Sequence, residues 1–289
     1  MKRVARMQQK HRRRIIKSIA NINPQLIALS GSEDCDASQL ASIAKLIHSP
    51  LISPQDFIKQ SKKQTNPASF QYGLILQDDR LELHSFKSKK QTPLCIDFLT
   101  GKSRHRRIYG GGKGQAIAKA IGIKKIPNIK VIDATAGLGG DAFVLASLGC
   151  HIILLERNPV IYSLLKNALD RVQDSDDQEV KAICSRMKLI NQSADRYLLA
   201  QQAENYADVI YLDPMFPSRK KSAKVKKEMA YFHDIVGEDK DSDALLNLAL
   251  KRAKKRIVVK RPRLAEALAG LKAPFSIMGK STRYDIYIP

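Results

Sequence analysis

From residue 115 onward the apolar and polar positions alternate between two periods. Short apolar runs at Lys130–Asp133, His151–Glu156, Lys188–Asn191, Asp208–Leu212 and Arg256–Lys260 read as strands covered on both faces. Between them, apolar residues recur three and four apart, which predicts helices over Gln115–Ile121, Asp141–Leu148, Pro159–Arg171, Asp195–Glu204 and Asp241–Lys254. In the third of these, Val160, Leu164, Leu165, Ala168 and Leu169 share one face. Phe275–Met278 and Arg283–Ile288 close the chain as a strand pair around Gly279, with no helix between them. Strand and helix in alternation predict an α/β fold with a doubly wound, mostly parallel sheet of Rossmann-like type. The closing pair predicts an antiparallel strand at its edge.

Upstream the pattern changes. Residues 26–108 read as a small α+β unit. A helix is expected around Ser38–Ile47, and strands at Gln71–Gln77 and Arg80–Phe86 flank Asp78-Asp79 as a hairpin. Leu94–Leu99 could add a third strand, and Ser61–Pro67 reads as a loop. Gly101–Arg107 is cationic and Tyr109–Gly114 is glycine-rich, which marks a boundary before the unit 109–289. Residues 1–25 form a basic extension without a single acid. There Val4, Met7, His11, Ile15 and Ile19 follow helical spacing. An RNA-binding arm, a packed accessory helix, a disordered tail and a transit-like leader all fit it.

Charge adds a partner. The 289 residues carry 50 Lys+Arg against 28 Asp+Glu, a net charge of +22 that would gather polyanions. The cations cluster, so a nucleic acid is the expected partner. No run of 18 apolar residues exists, so no membrane span is expected. Cys35, Cys95, Cys150 and Cys184 are scattered and no histidine pair has ligand spacing, so neither a metal site nor a disulfide framework is expected. A cytoplasmic location follows.

Three strand ends should meet at one rim, because doubly wound sheets bind ligands outside the carboxyl ends of their strands. The first carries Asp133 and the turn Gly137-Leu138-Gly139-Gly140-Asp141. Glycine lets the backbone pass close beneath a ligand, and the following helix start favours a carboxylate. The second ends at Glu156, which could accept hydrogen bonds from ribose hydroxyls. The third leads into Ser193-Ala194-Asp195, placed to edge an adenine. S-adenosylmethionine matches that set, its ammonium suiting Asp133 or Asp213. Ala134, Thr135 and Ala136 precede the first glycine, so this is not the G-x-G-x-x-G of a nicotinamide enzyme, which is the lesser reading. A ligand-free turn would leave Asp133, Glu156 and Asp213 repelling one another at one rim.

Asp213-Pro214-Met215-Phe216-Pro217 follows the fourth strand of this half. An amine conjugated to a base ring is a poor nucleophile and has to be held in line with the donor methyl. Asp213 and the Pro214 carbonyl are candidate acceptors for its N–H groups, and Phe216 offers a stacking face worth ~1–3 kcal/mol. The alternative is a proline-stiffened turn. Ser218–Lys227 then places six cations in ten residues, among them Arg219, Lys220 and Lys221. With Arg106, Arg107, Lys113, Lys260 and Arg261 these are candidate phosphate contacts, although a charge run is more often a solvated face.

The strings Tyr109–Gly114, Asp133–Ala146, Leu155–Pro159, Leu212–Pro217, Lys221–Met229 and Val259–Pro262 closely resemble the ribosomal RNA small-subunit methyltransferase J family over about residues 104–288. The resemblance implies a class I S-adenosylmethionine-dependent methyltransferase fold and methylation of a guanosine N2 in 16S rRNA or the small ribosomal subunit. It also implies cofactor contacts at Gly140, Asp141, Glu156, Arg157, Ser193, Ala194 and Asp213. Gly140 stands where arginine is expected and Ala194 where a second serine is expected, so only backbone contact carries over at those two positions. A DNA amino-methyltransferase and a non-catalytic RNA-binding or assembly factor remain the alternatives.

Overall fold

The computed structural model describes residues 27–62, 70–86, 92–100, 112–124, 128–201, 207–215, 235 and 241–289. These fall into two units. One takes the described residues up to Asp78, with Glu82–Leu94 and Ile235; the other takes Asp79–Leu81, the described residues from Cys95 to Met215, and those from Asp241 on. The basic extension 1–25 lies outside the described residues.

In the smaller unit, β1 (Ile27–Gly31), α1 (Ala37–Ile47), α2 (Pro54–Lys62), β2 (Tyr72–Gln77) and β3 (Arg80–Ser85, which belongs to this unit from Glu82 on) follow in that order. The sheet order is β1-β2-β3, with β1 parallel to β2. Asp36 starts α1 by accepting the N–H groups of Ser38 and Gln39. Asp78 and Asp79 both take positive φ, as a two-residue hairpin turn of type I′ requires. Phe57 packs edge-on against Phe86, ring centroids 5.0 Å apart. A Cβ at Gly73 would lie 2.3 Å from Phe57 and 2.4 Å from Phe86, so the glycine inside β2 makes room for that aromatic pair. The expected third strand over Leu94–Leu99 shrinks to one bridge between Leu83 and Leu94.

The larger unit carries the elements that build the rim. These are α3 (Ala116–Ile121), β4 (Lys130–Asp133), α4 (Gly140–Ser147), β5 (His151–Leu155), α5 (Pro159–Asp174), α6 (Gln178–Cys184), β6 (Met187–Ile190) and α7 (Ala194–Ala200). β7 (Ala207–Leu212), α8 (Ser242–Leu250), β8 (Ala253–Pro262), β9 (Phe275–Met278) and β10 (Thr282–Tyr287) complete it. The seven strands run in the order β6-β5-β4-β7-β8-β10-β9. β4 to β8 are parallel, while β10 is antiparallel to both β8 and β9. This is the predicted class I arrangement with its antiparallel edge.

Ile132, Ile210, Leu212, Leu246, Ile257 and Val259 sit in one buried cluster between sheet and helices. Each such aliphatic contributes about 1.5–3 kcal/mol on burial. Phe98 stacks on Phe143 with centroids 4.8 Å apart and 15° between the planes, so Cys95–Thr100 group with the larger unit, upstream of the 108/109 boundary expected from the sequence. α5 starts at Pro159, where the Asn158 side chain accepts from the N–H groups of Val160 and Ile161.

Candidate active site

The chain winds from β4 out to β5 and β6, then returns to β7 on the other side of β4. The switch point of the sheet therefore lies between β4 and β7, where such folds open a crevice. Asp133 pairs in register with Tyr211 across those strands, and Leu212 pairs with Val259 on the far side of β7. One step on, Asp213 and Lys260 stand side by side.

Asp133 is 2% exposed, and its Oδ1 accepts the Thr135 N–H at 3.1 Å. Burial pushes its carboxyl up to about 8, against the pull of the Thr135 N–H and of Lys260; Asp141 and Asp213 nearby push it further. At neutral pH it holds a proton. The turn after it places Gly137 at φ +53° and Gly139 at φ +70°, values that favour glycine. Glu156, buried at the end of β5, ties that turn down. Its Oε2 accepts from the Gly137 N–H at 3.0 Å and its Oε1 from the Asn158 N–H at 2.7 Å.

Between β4 and β8 lies an ion network. The Lys260 ammonium donates to Asp213 Oδ2 at 2.7 Å and to Asp141 Oδ2 at 2.9 Å. The Tyr211 hydroxyl donates to the same Asp141 oxygen at 2.7 Å. Burial and the neighbouring carboxylates hold the tyrosine proton well above its ordinary value, so Tyr211 stays a donor. The Asp213 N–H donates to Thr135 Oγ1 at 2.7 Å, which pins the turn after β7 to the turn after β4.

Other predicted residues take these places. Gly140 is exposed at the start of α4, and Ser193 and Ala194 open α7 just beyond β6. Pro214 is buried beside Asp213. The Arg157 guanidinium is tied to Asp241 at 2.8 Å. Lys113 is exposed on a short 3-10 turn, Gly112–Gly114. Arg106, Arg107, Phe216, Arg219, Lys220 and Lys221 lie outside the described residues.

Two of the candidate phosphate contacts, Lys260 and Arg261, are engaged within the protein. Lys260 is spent on two carboxylates, and Arg261 is 6% exposed with its guanidinium donating to the Glu266 carbonyl. β8 runs on past the end of β7 to Pro262, and there it pairs with β10 alone, Lys260 with Tyr284 and Arg261 with Arg283. Sequence reading also passed over Thr135 and Tyr211. A hydroxyl two residues after a strand-end acid, and a tyrosine two before one, were the available signals.

Among the described residues, no group of three or more His, Cys, Asp or Glu side chains could hold a metal ion, and no helix is long and apolar enough to cross a membrane.

Known proteins resemble this chain. A family described as "Putative SAM-dependent methyltransferase" matches residues 57–289. Ribosomal RNA small subunit methyltransferase J from Cellvibrio japonicus is 47% identical over 220 residues, covering 75% of this chain and 83% of the relative. The chain belongs to the ribosomal RNA small subunit methyltransferase J family. A member of that family from Coxiella burnetii (strain RSA 493) is 42% identical over 262 residues, covering 91% of this chain and 96% of its own. The crystal structure of a SAM-dependent methyltransferase from Neisseria gonorrhoeae is 33% identical and superposes with a TM-score of 0.66, covering 91% of this chain and 96% of that one. As a methyltransferase J family member the chain is an S-adenosylmethionine-dependent enzyme. The donor set fits that cofactor. With Asp133 protonated, Asp141 and Asp213 still outnumber the Lys260 ammonium by one charge, a balance that favours a ligand bearing a sulfonium and an amine.

Proposed function

We propose that this chain methylates the exocyclic N2 of a guanosine in 16S ribosomal RNA, free or within the small ribosomal subunit, in the cytoplasm where that RNA is made. S-adenosylmethionine supplies an electrophilic methyl group on a positively charged sulfur. Glu156 receives the ribose hydroxyls, with Arg157 beside it. The backbone of Gly140 and Asp141 faces the amino-acid end, and Ser193 and Ala194 border the adenine. Asp213 and the Pro214 carbonyl accept hydrogen bonds from the guanine amine, and Phe216 offers it a stacking face.

One observation carries the reading: the bond from the Asp213 N–H to Thr135 Oγ1 at 2.7 Å. It fixes the acceptor corner against the turn that follows β4. The amine and the donor are then held at adjacent strand ends, and most of the rate gain comes from that proximity. Lys113, Arg106, Arg107, Arg219, Lys220 and Lys221 supply positive charge for the phosphates.

The test is transfer of label from radiolabelled S-adenosylmethionine to undermethylated small-subunit RNA, followed by mapping of the product by mass spectrometry. Label on guanosine N2 is expected. Label on adenine, preference for a DNA competitor, or no transfer at all would overturn the proposal.

A further inference from the structure

We infer that Lys260 is a positioning residue that holds the Asp213 carboxylate ionised and correctly turned for the acceptor amine. The inference rests on the reading of Asp213 as the residue that receives that amine.

The geometry is specific. Lys260 enters from β8, one step past the Leu212–Val259 register pair, and bridges two carboxylates from different elements. Asp213 comes from the end of β7 and Asp141 from the first turn of α4. The lysine side chain is 24% exposed, and those of Asp141 and Asp213 are 12% and 39% exposed. Burial alone would favour a neutral amine; Asp213 and then Asp141 outweigh it and keep the ammonium charged. Among the described residues, the other titratable groups near this network are Asp133 from β4, Tyr211 from β7 and Tyr284 from β10. None of them is a cation. Without the ammonium, Asp213 would share its corner with Asp141 and the region around Asp133, and the proton would return to one of the carboxylates.

During transfer the S–CH3 bond breaks as the N–CH3 bond forms. The sulfonium becomes a thioether, and the methylated amine releases its extra proton through the Asp213 carboxylate to solvent water. An ionised Asp213 can accept a hydrogen bond from that N–H throughout, whereas a protonated one offers a competing donor. Lys260 thus acts through Asp213 and does not touch the reacting atoms.

The experiment compares wild type, Lys260→Met and Lys260→Arg. In Lys260→Met the acid limb of the kcat/KM profile should move up by about one to three pH units. S-adenosylhomocysteine affinity, read by calorimetry, should change less than the rate at pH 7. Lys260→Arg should restore the wild-type limb. An unmoved limb in Lys260→Met, or equal loss in Lys260→Arg, overturns the inference.

A second measurement needs no variant to fold and no RNA. In the wild-type protein, labelled for NMR, the Lys260 Nζ signal should respond at the pH where the Asp213 carboxyl carbon titrates. Independent titration overturns the inference. If the coupling is present but no RNA is methylated, the failure lies with the proposed substrate and not with the Lys260–Asp213 pair.

Discussion

The Gly137 N–H donates to Glu156 Oε2 at 3.0 Å, so the acid that ends β5 is tied to the turn that follows β4. The same carboxylate takes the Asn158 N–H at 2.7 Å through its other oxygen. One side chain thereby joins two strand ends at the rim.

Glu156→Gln tests that junction. The amide keeps one acceptor oxygen, but its nitrogen is a donor facing a donor. Loss of one hydrogen bond to a charged group costs about 1.5–3 kcal/mol. S-adenosylhomocysteine should bind about ten- to a hundredfold more weakly by calorimetry. Unchanged affinity would remove Glu156 from the cofactor site.

Gly139→Ala tests the turn itself. The residue has φ +70°, and an added Cβ would lie 2.8 Å from Leu165 Cδ1 and 3.2 Å from Phe98. The left-handed backbone alone costs roughly 1–2 kcal/mol for a residue with a Cβ. Thermal melting should show a lower midpoint, and a saturating cofactor should recover only part of it. A neutral substitution would mean that the turn relaxes freely.

The larger unit was mostly legible because its strands are short apolar runs between strong stop signals. β4 spans Lys130–Asp133 as read from the sequence, and Asn158-Pro159 marks the start of α5. The missed elements had weaker patterns. β1 is five residues long, and its apolar run suits a helix equally well. α2 hides behind a capping pattern, in which the Asp56 N–H donates to Ser53 Oγ at 3.1 Å. α6 is a seven-residue helix opened by Asp177. The α8–β8 junction was misplaced because Lys251–Arg256 is polar except for Ala253; buried Ala253 begins the strand. The acids at the rim were identifiable by their positions at strand ends. The fate of Lys260 was not, because cationic character alone does not reveal whether a residue faces phosphate or carboxylate.

That difference predicts two separate salt responses. Lys113 is exposed, whereas Lys260 is engaged by Asp141 and Asp213. For RNA binding, the slope of log affinity against log salt should become shallower by about one unit in Lys113→Ala. In Lys260→Met the slope should stay as in wild type. A reduced slope in Lys260→Met would return that lysine to the phosphate interface.

Asp133 gives stability a pH dependence whose sign follows from burial. Its folded carboxyl is raised from 3.8 to about 8, so the folded state keeps a proton that the unfolded chain releases above pH 4. The contribution is fully present below pH 4. It falls as pH rises, by about 1.4 kcal/mol per pH unit, and levels off above about 8. Asn mimics the protonated acid, and its oxygen can still accept the Thr135 N–H. Asp133→Asn should therefore melt like wild type at pH 4 and higher than wild type at pH 8.5. If Asp133 also pairs with the cofactor ammonium, wild-type S-adenosylhomocysteine affinity should rise towards pH 8 as the carboxyl ionises, and Asp133→Asn should lose that rise. A flat wild-type affinity between pH 6 and 8 would leave Asp133 as a buried support for the Thr135 turn with no role in holding the ligand.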